Sequence, residues 1–441
     1  MGSSQATESA SVKPLAPVSF WYIAALVSFS LGTSAVNFCL ITVLQRTLKP
    51  YTESTALIGT LTALISMSMI WATPFAAWKS DRIWTRFGRR KPVVLAMAPV
   101  AVVTLLLLPH CTSLWMIGVI VFVLTVALAA LLGMITAAIG DSVPDKQRPL
   151  ATAMWHFTAN GLGIFVMSRY VLGLMDPGVH RVGPSLPVSI KMHGAGHWPY
   201  TIACAIFVCT SIAFLLVMRE RYVAPRSGEK FRLFSYGREI VQVREHLLIY
   251  VILLFQPMFV LVGSWYFPKL ATEKLGLSLA QYGNAHSWGA IILMLTCVPL
   301  GYLFNHVRHR RGFTIVACLL ALVPTTFGLF FMKSAAGMAF FFAAQQFAFA
   351  IFRLNFIPYV IEYTTPKSVG TILGFTNAVN GIVRFTMVPL FGLLVDAMGK
   401  DYRLPLWGGY VGVAVCVGCL LAMRPPEKVR HLIDAEVFSN S

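Results

Sequence analysis

Runs of about twenty residues with almost no charge recur along the chain. Residues 55–78, TALIGTLTALISMSMIWATPFAAW, are one of twelve such runs. A helix of about 20 apolar residues crosses a hydrocarbon layer of about 30 Å. In lipid each backbone amide must find its partner inside the protein, which leaves helix bundles or closed barrels, and these runs are too long and too evenly apolar for barrel strands. The balance of the whole chain agrees. Of 441 residues, 57% are hydrophobic and 12% are charged, about half the charge of a soluble domain. The expected fold is an all-α polytopic membrane protein with spans at about 18–44, 55–78, 92–110, 114–139, 150–175, 199–218, 246–268, 281–304, 313–332, 335–362, 369–395 and 405–423.

Charge between the runs sets an expected orientation. With the N-terminus in the cytoplasm, inside segments hold 23 lysines and arginines, outside segments hold nine, and three lie within spans. Cytoplasmic loops are the ones that gather Lys and Arg, so both termini are expected on the cytoplasmic side of the cell (inner) membrane. The net charge of +18 is then mostly topogenic. It faces anionic lipid and does not call for a nucleic-acid partner. The tail 1–17 is polar and lacks a basic n-region or a cleavage signature, so no removable signal peptide is expected. The basic segment 219–245 separates two candidate six-helix bundles, 18–218 and 246–423, and a short tail follows at 424–441.

Internal echoes support that division. Asp81, Arg86 and Gly88 recur as Asn305, Arg310 and Gly312 with the same spacing, and the pair Asn160-Gly161 recurs as Asn380-Gly381. Two such bundles around a midplane cavity are the plan of secondary transporters. The loop 80–92, SDRIWTRFGRRKP, places one aspartate ahead of five basic residues and a glycine. It resembles the loop signature between the second and third spans of the major facilitator superfamily, with Ala77 where that family usually has glycine. DSVPDKQR at 141–148 is similar to the family's loop between spans four and five. Within the superfamily, the first loop looks most like that of the glycoside and sucrose cation symporters. The resemblance implies a twelve-helix transporter working by alternating access, with Asp81, Arg82, Gly88, Arg89 and Arg90 as a conformational latch. By the same analogy Asp81 would meet the start of span eleven, near Ser368 to Thr371. An acid is favoured at the positive end of a helix dipole.

Charged side chains inside a membrane are costly, by about 2.5–3.5 kcal/mol on the insertion scale, and mark cavities or pathways. Three arginines lie within spans: Arg169, Arg353 and Arg384. Arg384 shares a helical face with Asn377, Asn380 and Gly381, at the i, i+3, i+4, i+7 spacing. Gln346 and Arg353 are also seven apart. With Asn160 and Gln256 these form the candidate substrate-binding set. Arg169 either joins it or snorkels to the interface. Trp155, Trp265, Tyr266 and Trp288 either stack on a sugar ring or pack as belt residues. No acid lies mid-membrane, unlike the spans of melibiose-type symporters. The excess positive charge favours an anionic solute. A coupling proton or sodium ion is an expected partner, with His156 or His286 as candidate proton carriers. Seven of eight cysteines lie in apolar runs and read as small hydrophobes. The pairs His193/His197 and His306/His309 have no carboxylate or cysteine to complete a metal set, and nothing points to a cofactor, an enzyme or an oligomer. The resulting expectation is a monomeric carrier of a small polar solute, a sugar or sugar acid first. A non-sugar organic anion carrier, or a receptor or assembly factor on the same fold, stands beside it.

Overall fold

A computed structural model describes residues 17–144, 147–175, 197–220, 244–259, 263–305, 310–363 and 369–426. The described residues are all-helical, with a single isolated bridge, Thr85 to Gly88, in place of any sheet. In chain order the helices are α1 (Phe20–Leu48), α2 (Thr55–Arg82), α3 (Lys91–His110), α4 (Leu114–Ser142), α5 (Leu150–Met175) and α6 (Trp198–Val217). They continue as α7 (Arg244–Pro257), α8 (Leu279–Phe304), α9 (Arg310–Phe330), α10 (Ala335–Val360), α11 (Val369–Ala397) and α12 (Leu404–Ala422). Among the described residues, ten of these are long and apolar enough to cross a membrane, so the expected count of twelve is not reached. The two that fall outside are α7 and α11. The first is 14 residues long before the chain leaves the described set. The second is a 29-residue helix, but the side chains of its first ten residues are not described.

Capping sets several helix starts. The hydroxyls of Ser19, Ser54, Ser113 and Ser334 each accept from a backbone N–H three residues on, satisfying donors that a first turn leaves open. Helix α2 lies against α4 and α11, and α8 lies against α5 and α10. The α5–α8 crossing is tight enough that a Cβ on Gly283 would strike the carbonyl oxygen of Ser168. Beside it the Ser168 hydroxyl and His286 Nδ1 lie 2.7 Å apart.

The end of the bundle that carries the loop 82–91 is basic, and among the described residues its polar contacts stay within α1–α6 or within α7–α12. Arg90, 5% exposed, reaches Asp81 at 2.8 Å, Asp141 at 3.0 Å and the Ser80 hydroxyl at 2.8 Å. Arg89 bridges the same two aspartates at 3.4 and 2.6 Å. Glu220, past the end of α6, accepts from the backbone N–H groups of Arg89, Arg90 and Lys91 at 2.6–3.1 Å. Its carboxylate therefore caps the positive end of α3. Gly88 turns the loop at φ +101°, and a Cβ there would meet the Glu220 carboxylate at 2.6 Å. Asp81 is engaged by Arg89 and Arg90 of its own loop, and its expected partner region, Ser368 to Thr371, falls on residues or side chains outside the described ones.

A prediction follows for this cluster. Asp81→Asn and Asp141→Asn each leave Arg90 one carboxylate, and each is expected to cost about 1–2 kcal/mol of stability. Together they strand a buried guanidinium, and the loss should exceed the sum of the two, at about 3–5 kcal/mol. Thermal unfolding of the detergent-solubilised single and double variants checks this, and strict additivity would contradict the shared role.

The opposite end is where polar ties join α1–α6 to the later helices. The Gln45 amide donates to the Trp265 carbonyl at 2.6 Å. Lys49 pairs with Glu273 at 3.5 Å and Lys400 with Glu53 at 3.4 Å. Asp396, at the end of α11, accepts from the Ser54 hydroxyl and the Ala56 N–H at 3.3 and 3.2 Å, capping the start of α2.

Candidate functional site

Arg353 on α10 and Arg384 on α11 lie deep among the helices, yet each keeps partial solvent access. That combination is expected of a side chain lining an internal cavity. Among the described residues neither has a carboxylate partner. The two guanidinium groups are close enough to interact electrostatically, and Arg353 is also within range of the His156 ring on α5. Arg353 lies 5.3 Å from the centroid of the Phe349 ring, a cation–π contact that supports the charge without neutralising it.

Three polar atoms on these helices and on α5 are buried and unpartnered: Nε of Arg384, Oε1 of Gln346, two turns before Arg353 on α10, and Nε2 of His156. Buried polar groups almost always find hydrogen bonds, so each orphan is a hydrogen-bonding position open to a solute. His156 is held by its other nitrogen, 3.0 Å from the Asn160 amide, and by stacking on Trp155. The chain after His156 runs through a π-helical turn, Phe157–Gly163. Such turns widen a helix locally and are frequent at functional sites. Here the turn leaves His156 Nδ1 and the Asn160 side chain in contact.

The other expected residues fare differently. Gln256 is buried near the end of α7. The side chains of Asn377 and Asn380 lie outside the described residues. Arg169 does not join the cluster: it is exposed beside exposed Tyr170. A second π-helical turn, Met167–Val171, runs through it. Glu362, at the end of α10, pairs with Arg310 at 2.9 Å. His156 belongs with the arginines, although as a lone polar residue near a helix end it carried little signal. Glu220, Asp141 and Asp396 become meaningful only when distant segments meet.

The four candidate aromatic residues do not gather in one place: Trp155, half-buried, stacks on His156. Trp265 and Tyr266 are packed in the core, with the Tyr266 hydroxyl donating to the Val388 carbonyl. Trp288 is exposed.

The model of the Major Facilitator Superfamily matches residues 19–386. The chain belongs to the major facilitator superfamily. It is therefore a multi-pass membrane protein of a transporter family. No curated protein matches it. Among solved structures that resemble it is a POT family transporter in complex with a thioalcohol-conjugated peptide, at 9% identity and a TM-score of 0.70, covering 90% of this chain and 95% of that one. Another is a mutant of the peptide transporter POT, at 9% identity and a TM-score of 0.67, covering 92% and 96%. At this identity the likeness establishes the fold. The match holds at the superfamily level, and the glycoside and sucrose symporter branch gains no support from it. The carbohydrate expectation is overturned: the structures this major facilitator protein resembles are peptide transporters.

Proposed function

We propose that this protein is a secondary transporter for a small peptide-like solute with a free carboxylate. Arg353 and Arg384 hold that carboxylate at the centre of the bundle. The observation that carries the reading is the pair of deep, mutually repelling guanidinium groups with no described carboxylate between them. Two like charges in a low-dielectric interior are unfavourable. An anion placed between them gains charge-assisted, two-pronged hydrogen bonds. The orphan Gln346 oxygen is an acceptor suited to a solute amide N–H, which gives the site one polar need of each kind. The peptide transporters of like fold add weight to the amide.

The two six-helix bundles, 18–218 and 246–423, rock about this site as a monomer. The basic end faces the cytoplasm, in keeping with its excess of lysine and arginine. Polar ties between the bundles gather at the opposite end, so this arrangement is closed to the outside. His156, with one nitrogen free, is the side chain best placed to carry a coupling proton.

The test is uptake of radiolabelled alanyl-alanine by proteoliposomes holding the purified protein, with and without an imposed proton or sodium gradient. Accumulation that depends on the protein and is competed by other free-acid dipeptides is expected. Absence of uptake under both gradients would contradict the reading and favour a receptor or assembly role, whereas uptake competed equally by simple carboxylates would return the substrate to a non-peptide organic anion.

A further inference from the structure

The closed end of the bundle holds a cavity of about 260 Å³, lined from α1, α2 and the segments before α8 and α12. It lies apart from the central arginines. Four cations line it, Arg46, Lys49, Lys269 and Lys400, against two carboxylates, Glu53 and Glu273. Among the described residues, neither Arg46 nor Lys269 has a carboxylate within ion-pair distance. Lys269 meets the Thr55 hydroxyl at 3.4 Å and lies 5.9 Å from the centre of the Tyr402 ring. Gln45 spends its amide nitrogen on the carbonyls of Ile41 and Trp265, at 2.7 and 2.6 Å. Its Oε1 is buried with no partner at all. The cavity thus has excess positive charge and one orphan acceptor, the same two needs as the central site.

The ion pairs that close this end are weak ones. Lys49 and Glu273 are 55% and 28% exposed, and Lys400 and Glu53 are 45% and 89% exposed. At 3.5 and 3.4 Å they are long, and solvated pairs of this kind contribute about 0–1 kcal/mol. A carboxylate arriving from solution can take over either lysine at little cost. The net positive charge also steers anions toward the opening. The cavity is smaller than the roughly 300–1,000 Å³ of drug-sized sites, so it fits the charged end of a solute better than the whole of a large one.

We propose that this cavity is a second, transient binding site for the solute's carboxylate, and that its occupant displaces Glu273 from Lys49 and Glu53 from Lys400 and so loosens the closed end. The site rests on the peptide-carboxylate reading above for its ligand class, but it stands on residues that the central site does not use.

The experiment uses full-length protein in proteoliposomes, with Cys209 and Cys419 replaced by serine and Thr272, which lines the cavity, replaced by cysteine. The rate of labelling by a membrane-impermeant maleimide is read with alanyl-alanine or alanyl-alanine amide present. At ten times its half-protecting concentration the free acid is expected to slow labelling about tenfold, and the amide is expected to leave it unchanged. Protection should persist in Arg384→Gln and disappear in the double variant Arg46→Gln with Lys269→Gln. No protection, equal protection by the amide, or loss of protection in Arg384→Gln would overturn the proposal. Protection without uptake would leave this site standing while the transport reading fails. Uptake without protection would remove this site alone.

Discussion

Arg384→Gln is expected to reach the membrane, to melt no lower than the parent protein, and to lose about 10- to 100-fold in affinity for a free-acid dipeptide. The sign of the stability change is the informative part. Arg384 has no described carboxylate partner, its Nε is unsatisfied and Arg353 repels it. Removing a buried charge that nothing pairs relieves the apo protein, whereas removing one half of a structural ion pair would cost about 3–5 kcal/mol. A charge-assisted hydrogen bond contributes about 1.5–3 kcal/mol, and each 1.4 kcal/mol is about a factor of ten, which sets the affinity range. Arg384→Lys should recover little, because an ammonium cannot reproduce a planar two-pronged donor. Thermal unfolding of the apo proteins and dipeptide titration at matched expression read both quantities. A large drop in melting temperature with affinity unchanged would assign Arg384 to helix packing.

Gly283→Ala is expected to act on the arrangement of the helices and not on the site. Its new methyl would be driven into the backbone oxygen of Ser168, and backbone gives way far less readily than a side chain. Overpacking costs about 1–3 kcal/mol. If α5 and α8 part to relieve it, the contact between Ser168 and His286 at 2.7 Å is lost as well. Because α5 and α8 belong to different halves, the cost falls on the arrangement that brings them together. The described arrangement should lose about 5- to 150-fold in population against one with the helices apart. Distances between spin labels placed on α5 and α8 should lengthen. Gly418→Ala, where nothing stands within 4 Å of a new Cβ, is the control and should change nothing.

The helices were legible because long apolar runs admit few other structures in lipid. Arg353 and Arg384 were legible for the same reason: a charge amid such a run must have a purpose. Arg169 looked the same in sequence, yet it is exposed, on a π-helical turn at Met167–Val171 that no periodicity announces. Asp81 was legible as an acid needing a positive partner. Which partner it takes depends on how the loop folds, and one sequence does not carry that. Glu220, Gln45 and Asp396 act between segments far apart in the chain, so local pattern gave them no weight. Substrate class was the least legible. Aromatic residues near spans look alike whether they face a solute, the core or the surroundings, and here Trp265 is in the core and Trp288 is exposed.

The central claim is that the carboxylate of the solute binds between Arg353 and Arg384. Its most direct test is the coupling between that carboxylate and Arg384, measured as binding of alanyl-alanine and of alanyl-alanine amide to the purified parent protein and to Arg384→Gln. The account predicts that the parent prefers the acid over the amide by about 10- to 100-fold. It also predicts that Arg384→Gln loses most of that preference while binding the amide as the parent does. An acid-over-amide preference that survives intact in Arg384→Gln would contradict it.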